Sequence, residues 1–215
     1  ASLDISRRNL ALRGEESFAK VMDMAEYARR EINEIGGYYA YGKELVNGTS
    51  VYDYDVTKLS VHTLGLGLAG IEVYDLLRDE YDIQIEFGDV SNILAYISIG
   101  DRLQDIERLV GALADIARIY KKDSTGMLSG EFISPIVARS PQEAFYSAKE
   151  SLPVEKTEGR ISGEFVMCYP PGIPILAPGE MITDEIIQYI LYVKEKGCSM
   201  QGTEDKSVNK LKVLV

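Results

Sequence analysis

The chain has no apolar run approaching the length of a bilayer span, and its opening residues, ASLDISRRNL, lack the basic-then-apolar design of a secretion signal. Those two absences set the expectation of a cytoplasmic protein with no membrane contact. Cysteine is scarce: Cys168 and Cys198 are the only two, which suits a reducing compartment better than a disulfide framework. His62 is the single histidine, and no Cys/His cluster has the spacing of a metal site. No metal is expected, and His62 reads as a packed or hydrogen-bonded side chain. Internal repeats and low-complexity tracts are lacking too. Basic residues are the minority, 23 against 34 acids, for a formal charge of −11. That balance argues against nucleic acid, whose phosphates demand basic stripes, and it favours the approach of cationic ligands.

What is present is an ordinary globular composition. The 215 residues are 46% hydrophobic and 27% charged, enough for one large domain or two small ones. The first 35 residues read as helix, with Phe18, Val21, Met22, Ala25, Ala28, Ile32 and Ile35 on one stripe. Gly14 is expected to set off a short first helix, and Gly36-Gly37 to end the second. Thr57–Thr63 alternates as a half-buried strand does. A helix follows over about Ala69–Tyr81, with Ile71, Tyr74, Leu76 and Leu77 inward. Ile83–Phe87 and Ile93–Ile99 read as two more strands. The next helix has Leu103, Ile106, Val110, Leu113, Ala117 and Tyr120 on its apolar face. The order β-α-β-β-α is that of a compact two-layer α/β unit.

Residues 121–160 read as a connector with a short helix near Pro141–Lys149. A last unit comprises a strand at Phe165–Tyr169, a turn-rich stretch Pro170–Gly179, and a helix from Asp184 to Lys196 with Thr183 as its N-cap.

Gly65-Leu66-Gly67-Leu68-Ala69-Gly70 matches the dinucleotide-binding pattern letter for letter, between a strand and a helix. Two consecutive strands and one helix then close the unit, whereas a nucleotide-binding fold continues into further crossovers. The competing reading is a tight turn in which glycine supplies positive φ and close packing.

The most distinctive stretch is GRISGEFVMCYPPGIPILAPGE, Gly159 to Glu180, with four prolines in eleven residues. Proline fixes the backbone into a largely non-helical track that can hold a side chain still without secondary-structure hydrogen bonds. The track ends on Glu180. Read from the residues alone, Glu180 is either a solvated loop acid or a displayed carboxylate. Glu164 and Arg160 are candidates for a local ion pair.

This stretch resembles the C-terminal domain of the ornithine/lysine/arginine decarboxylase family of pyridoxal-phosphate (PLP) enzymes, which have the aspartate-aminotransferase fold. ASLDISRRNLALRGEE, DVTKLSVHTLGLGLAG, IEFGDVSNILAYISIGD, SPQEAFYSAKE and MQGTED extend the resemblance along nearly the whole chain. It implies an α/β (α+β) architecture in three parts. Residues 1–40 would be a helical segment leaving the large PLP domain, 41–124 the small α/β domain, and 125–215 the connector and C-terminal domain.

The resemblance also implies decarboxylation of a basic amino acid with PLP as cofactor, leaning towards arginine over lysine and ornithine. It further implies homodimers or larger assemblies. The family carries its cofactor lysine in a Ser-x-His-Lys segment. Here the nearest look-alike, Ser60-Val61-His62-Thr63, has threonine in that place, and none of the twelve lysines has the family context. Catalytic residues are therefore not expected in this chain, which reads as inactive without an N-terminal PLP domain as its partner; the alternative from another class is a stand-alone, non-catalytic binding or assembly module. Such a chain should expose apolar surface along the helix Phe18–Ile35. Carried over by the resemblance, Glu180 would face the substrate's distal cation, and Tyr169, Pro170, Pro171, Gly172 and Pro174 would hold the track.

Overall fold

The computed structural model describes residues 1–124 and 133–215, so 125–132, near the start of the expected connector, lie outside the described residues. The chain divides into two compact units, Ala1–Met127 and Leu128–Val215.

The first unit is built from α1 (Ser2–Ile35), β1 (Tyr39–Ala40), β2 (Lys58–His62), α2 (Gly70–Tyr81), β3 (Phe87–Gly88), β4 (Asn92–Tyr96) and α3 (Leu103–Ile119). Its strands form one antiparallel sheet in the order β1-β2-β4-β3. Leu59, Val61, Ile93 and Ala95 face one side and share a core with Val21, Ala25, Ala28 and Ile32 of α1, Val73 and Leu77 of α2, and Leu113 and Ile116 of α3. The result is the expected two layers.

Several local expectations are corrected. Helix α1 does not break at Gly14, because good helix formers flank it and a mid-helix glycine costs only about 1 kcal/mol. Phe18 and Met22 lie outside the core, at 43% and 44% exposure. The apolar surface that α1 exposes is thus its N-terminal half, while Ala25, Ala28 and Ile32 are buried. The strand expected over Ile83–Phe87 shrinks to β3. Asp82 closes α2 in the left-handed region at φ 54, and the Ile83 N–H is given to the Leu77 carbonyl at 2.8 Å. On α3, Ile106 and Leu113 are buried as read, but Leu103 is half exposed and Leu109, Ala112 and Ile116 join the core. That helix packs against both α1 and α2, so its buried face is wider than one stripe.

The dinucleotide-like glycines are filled by backbone. A Cβ on Gly65 would meet the Gly37 carbonyl, one on Gly67 (φ 71) the Lys122 carbonyl, and one on Gly70 the Asn92 carbonyl. The close-packing reading is the one the structure supports. Thr63, the last residue of the Ser60–Thr63 look-alike, is fully buried and donates its hydroxyl to the Leu68 carbonyl at 2.9 Å. His62 is half-buried, its Nδ1 3.3 Å from Asn92 Oδ1.

The second unit contains α4 (Pro141–Tyr146), β5 (Lys149–Pro153), β6 (Val166–Tyr169), β7 (Ile173–Leu176), α5 (Asp184–Glu195), β8 (Ser199–Gln201) and β9 (Lys210–Leu214). Strands β5 and β9 pair, and β7-β6-β8 form a second antiparallel sheet. Ile182, Ile186 and Ile190 pack with Val166, Leu176, Leu211 and Val213 into this unit's core. Thr183 caps α5 as read, its hydroxyl accepting the Ile186 N–H at 3.3 Å. Ser140 caps α4 reciprocally with Glu143. Cys168 and Cys198 are both buried.

Candidate functional site

The proline-rich track is a β-hairpin, not a stretch free of ladder bonds. Strand β6 pairs with β7 in the register Val166↔Leu176, Met167↔Pro174 and Cys168↔Ile173, with an irregularity between Val166 and Met167. Pro174 is tolerated because β7 is an edge strand and need not donate on its outer side. Tyr169, Pro170, Pro171 and Gly172 make the tip. Gly172, at φ 90, donates its N–H to the Cys168 carbonyl at 2.9 Å, and both peptide bonds into the prolines are cis. Tyr169 is half exposed there.

Glu180 lies at the other end of β7. The four residues of β7, about 13 Å of extended chain, and then Ala177, Pro178 and Gly179 separate it from the tip. Its own setting follows from the letters Ala177-Pro178-Gly179-Glu180. Proline second and glycine third is the type II turn signature, and Gly179 has the positive φ of 94 that such a turn demands. The Glu180 N–H closes the turn onto the Ala177 carbonyl at 3.2 Å. The carboxylate returns the bond, Oε2 accepting the Ala177 N–H at 2.8 Å. Among the described residues Ala177 is the carboxylate's only recorded partner.

The backbone around Glu180 is clamped on both sides. On one flank the Gly179 carbonyl accepts the N–H groups of Ala138 and Arg139, and Met181 donates to Ile136. On the other, Ser162 donates to the Glu180 carbonyl at 2.8 Å, and Ile182 to Arg160 at 2.8 Å. The side chain itself is half-buried. Residues that hold Glu180 directly are therefore Ala177, Gly179, Ser162 and the 136–139 segment. The turn signature could have shown Ala177 and Gly179 in the sequence. The flanking segments could not be found that way, because they come from 18 to 44 positions upstream.

The ion pair expected between Glu164 and Arg160 does not form. Arg160 bonds Glu150 at 2.7 Å and the Leu214 carbonyl at 2.6 Å. Glu164 accepts the N–H groups of Glu204 and Lys212, each at 2.8 Å. Two backbone amides need an acceptor at that place, and the carboxylate serves both. Beside the ladder an open cleft of about 530 Å³ is lined by Arg139, Glu143, Tyr146, Arg160 and their neighbours, without Glu180. Glu143 is held below the usual carboxylate range by the Ser140 N–H and then its hydroxyl. Among the described residues no group of side chains is arranged to hold a metal ion, and no helix is long and apolar enough to cross a membrane.

Chemically, the site is a carboxylate on a rigid turn, one oxygen engaged by backbone and the other left to accept donors. It has no neighbouring base or nucleophile among its recorded partners. Such a group can accept hydrogen bonds from a cationic ligand.

Comparison with known proteins identifies the class. Residues 129–206 match the family described as Orn/Lys/Arg decarboxylase, C-terminal domain. The whole chain is 38% identical to the arginine decarboxylase of Bacillus subtilis (strain 168) and 39% identical to that of Halalkalibacterium halodurans, and it covers 44% of each. Among solved structures, the lysine decarboxylase of Francisella novicida superposes with a TM-score of 0.66 at 19% sequence identity. That superposition covers 94% of this chain and 40% of the other, and it shows the fold. Residues 129–206 carry the C-terminal domain of the Orn/Lys/Arg decarboxylase family, and the chain as a whole is similar to arginine decarboxylases. It spans less than half the length of the curated relatives it matches.

Proposed function

We propose that this chain is the C-terminal portion of a PLP-dependent arginine decarboxylase, which converts arginine to agmatine and CO₂. The observation that carries the reading is identity of 38–39% along the whole chain to proteins named arginine decarboxylase, together with the family match over the Glu180 region. PLP, when bound, supplies the electron sink for loss of CO₂. The residues of this chain do not fit its anchoring. The Thr63 hydroxyl is spent on backbone, and the Gly65–Gly70 turn is packed solid. The cofactor therefore belongs to the rest of the enzyme.

What this chain contributes is the binding of the substrate's far end. Arginine's guanidinium is always charged and presents paired donors that a carboxylate accepts. Glu180, fixed by its turn and by backbone bridges on both sides, is the group to accept them. Tyr169, Pro170, Pro171, Gly172 and Pro174 stiffen the hairpin leading to it. The intact enzyme works as a cytoplasmic homodimer or larger assembly.

The test is CO₂ release from arginine, lysine and ornithine by the intact protein with PLP. Arginine should be preferred. Preference for lysine or ornithine overturns the substrate, and release from none of them overturns the class.

A further inference from the structure

The loop between β1 and β2 holds the only Asn-Gly step in the sequence, Asn47-Gly48. Both residues are exposed. Asn47 folds its side chain forward over the backbone that follows it. Its Oδ1 accepts the N–H groups of Thr49, Ser50 and Val51 at 3.0, 2.9 and 3.1 Å, and the Thr49 hydroxyl at 3.0 Å. A carboxamide oxygen offers two lone pairs, so four donors are more than it can serve well. Donors converging in that way suit an oxygen that carries charge, as an oxyanion hole does. The carboxamide nitrogen donates to Ser50 Oγ at 2.9 Å. With its oxygen so polarised, Asn47 Cγ is an electrophile.

A nucleophile stands next in the chain. The first backbone nitrogen after Asn47 is that of Gly48, its N–H held by the Val51 carbonyl at 3.2 Å. Gly48 has φ 72, and nothing lies within 4 Å of where a Cβ would be. No side chain therefore shields the approach of that nitrogen to Cγ. The other four asparagines precede Leu10, Glu34, Ile93 and Lys210, all with side chains. Of these, the Asn33 oxygen has a single recorded donor, the Ala40 N–H.

We propose that Asn47 is a self-modification site, at which the loop converts its own carboxamide to an acid. The Gly48 nitrogen bonds to Asn47 Cγ to close a succinimide ring, and its proton passes to a solvent base. The Cγ–Nδ2 bond breaks, and the nitrogen leaves as ammonia with a proton taken from water. One water then opens the ring, at Cγ to give aspartate or at the Asn47 main-chain carbonyl to give isoaspartate. The sum is carboxamide plus water to carboxylic acid plus ammonia, with no oxidant or reductant. The aspartate product suits the loop, because hydrogen bonds to an ionised oxygen are stronger than those to a neutral one. Isoaspartate instead adds a methylene to the main chain and draws the donors out of register.

The test is incubation of the whole protein in mildly alkaline buffer, followed by peptide mass spectrometry that separates aspartate from isoaspartate. Both products should build up at position 47 with release of ammonia, while the other four asparagines stay intact. Conversion should be at least about 10-fold faster than in a free peptide of residues 43–53, which lacks the fixed donors. Thr49→Val, which removes only the hydroxyl donor, should slow it about 5-fold, the worth of one neutral hydrogen bond. Asn47→Asp should melt no lower than wild type, which shows that the folded loop accepts the acid. Slower conversion in the protein than in the peptide overturns activation by the loop. Aspartate without isoaspartate means direct hydrolysis and overturns attack by Gly48. Conversion spread over the other asparagines, or none at position 47, overturns the site.

Discussion

Glu180 and Ala177 are bonded twice. The Glu180 backbone N–H donates to the Ala177 carbonyl at 3.2 Å, and the Ala177 N–H donates to Glu180 Oε2 at 2.8 Å. The carboxylate is thus part of the turn that displays it, and a structural and a binding role must be separated by experiment.

Glu180→Gln achieves that separation. The amide oxygen still accepts the Ala177 N–H, so the melting temperature of the intact enzyme should be unchanged. Under the proposed role the charge that would meet the guanidinium is lost, and a hydrogen bond to a charged group is worth about 1.5–3 kcal/mol, so KM for arginine should rise about 10- to 100-fold. PLP absorbance should stay as in wild type. An unchanged KM with a lowered melting temperature would leave Glu180 a turn residue only.

How much of this was legible in the sequence depends on the range of the interactions. Elements fixed by their own periodicity were read closely: β2 with Leu59 and Val61 inward, α2, and α5 with its Thr183 cap. Elements fixed by distant partners were not. Strands β5 and β9 pair residues some 60 positions apart, Lys149 with Leu214, and Lys149–Pro153 carries little strand signal of its own. Strand β7 was hidden by its proline, which only an edge position permits. Glu180 is singled out by resemblance and not by any local pattern. The residues that clamp it, Ser162 and the 136–139 segment, are set by tertiary pairing that no local pattern encodes.

Arg29 is the clearest buried feature that the helical stripe did not reveal. It is 5% exposed, and its Nε donates to the Tyr41 carbonyl at 2.6 Å and its terminal nitrogen to the Val56 carbonyl at 3.2 Å. Its guanidinium also stacks 5.3 Å from the Tyr54 ring. One side chain thus ties α1 to the loop before β2. Arg29→Ala strands two part-buried carbonyls and removes packing, so urea unfolding should show a loss of about 2–4 kcal/mol. Arg29→Lys should recover less than half, because an ammonium cannot reproduce the planar fork. A loss under about 0.5 kcal/mol, the level of an ordinary surface change, would refute the tie.

Gly70 tests the packing account of the dinucleotide-like motif. A Cβ there falls on the backbone of Asn92, which is rigid β4, and cannot be relieved by a side-chain rotation. Gly70→Ala should destabilise the first unit by about 3 kcal/mol or more. NADH titrated into the wild-type chain should give no change in nucleotide fluorescence. A stable Gly70→Ala protein, or saturable NADH binding, would reverse the assignment.

The last prediction concerns acid stability of the second unit. Asp205 accepts the N–H groups of Ser207, Asn209 and Lys210, each at 3.0 Å. The Ser207 N–H and then those of Asn209 and Lys210 hold its carboxyl below the ordinary aspartate range. The same loop holds Val208 at φ 49, a left-handed conformation foreign to a β-branched residue, with its side chain buried in the core. Loosening the loop therefore frees a core residue and the start of β9. The sign follows from the lowered pKa. The native state binds its proton less readily than the unfolded chain, so the stabilisation is complete above the unfolded value, about pH 4, and is lost as pH falls through the lower native value. Asp205→Asn keeps an acceptor oxygen but nothing to titrate. Its melting temperature should lie below wild type at pH 6, and the gap should close as pH falls from 4 towards 2. Melting curves that stay parallel across that range would show that the Asp205 charge does not hold the loop.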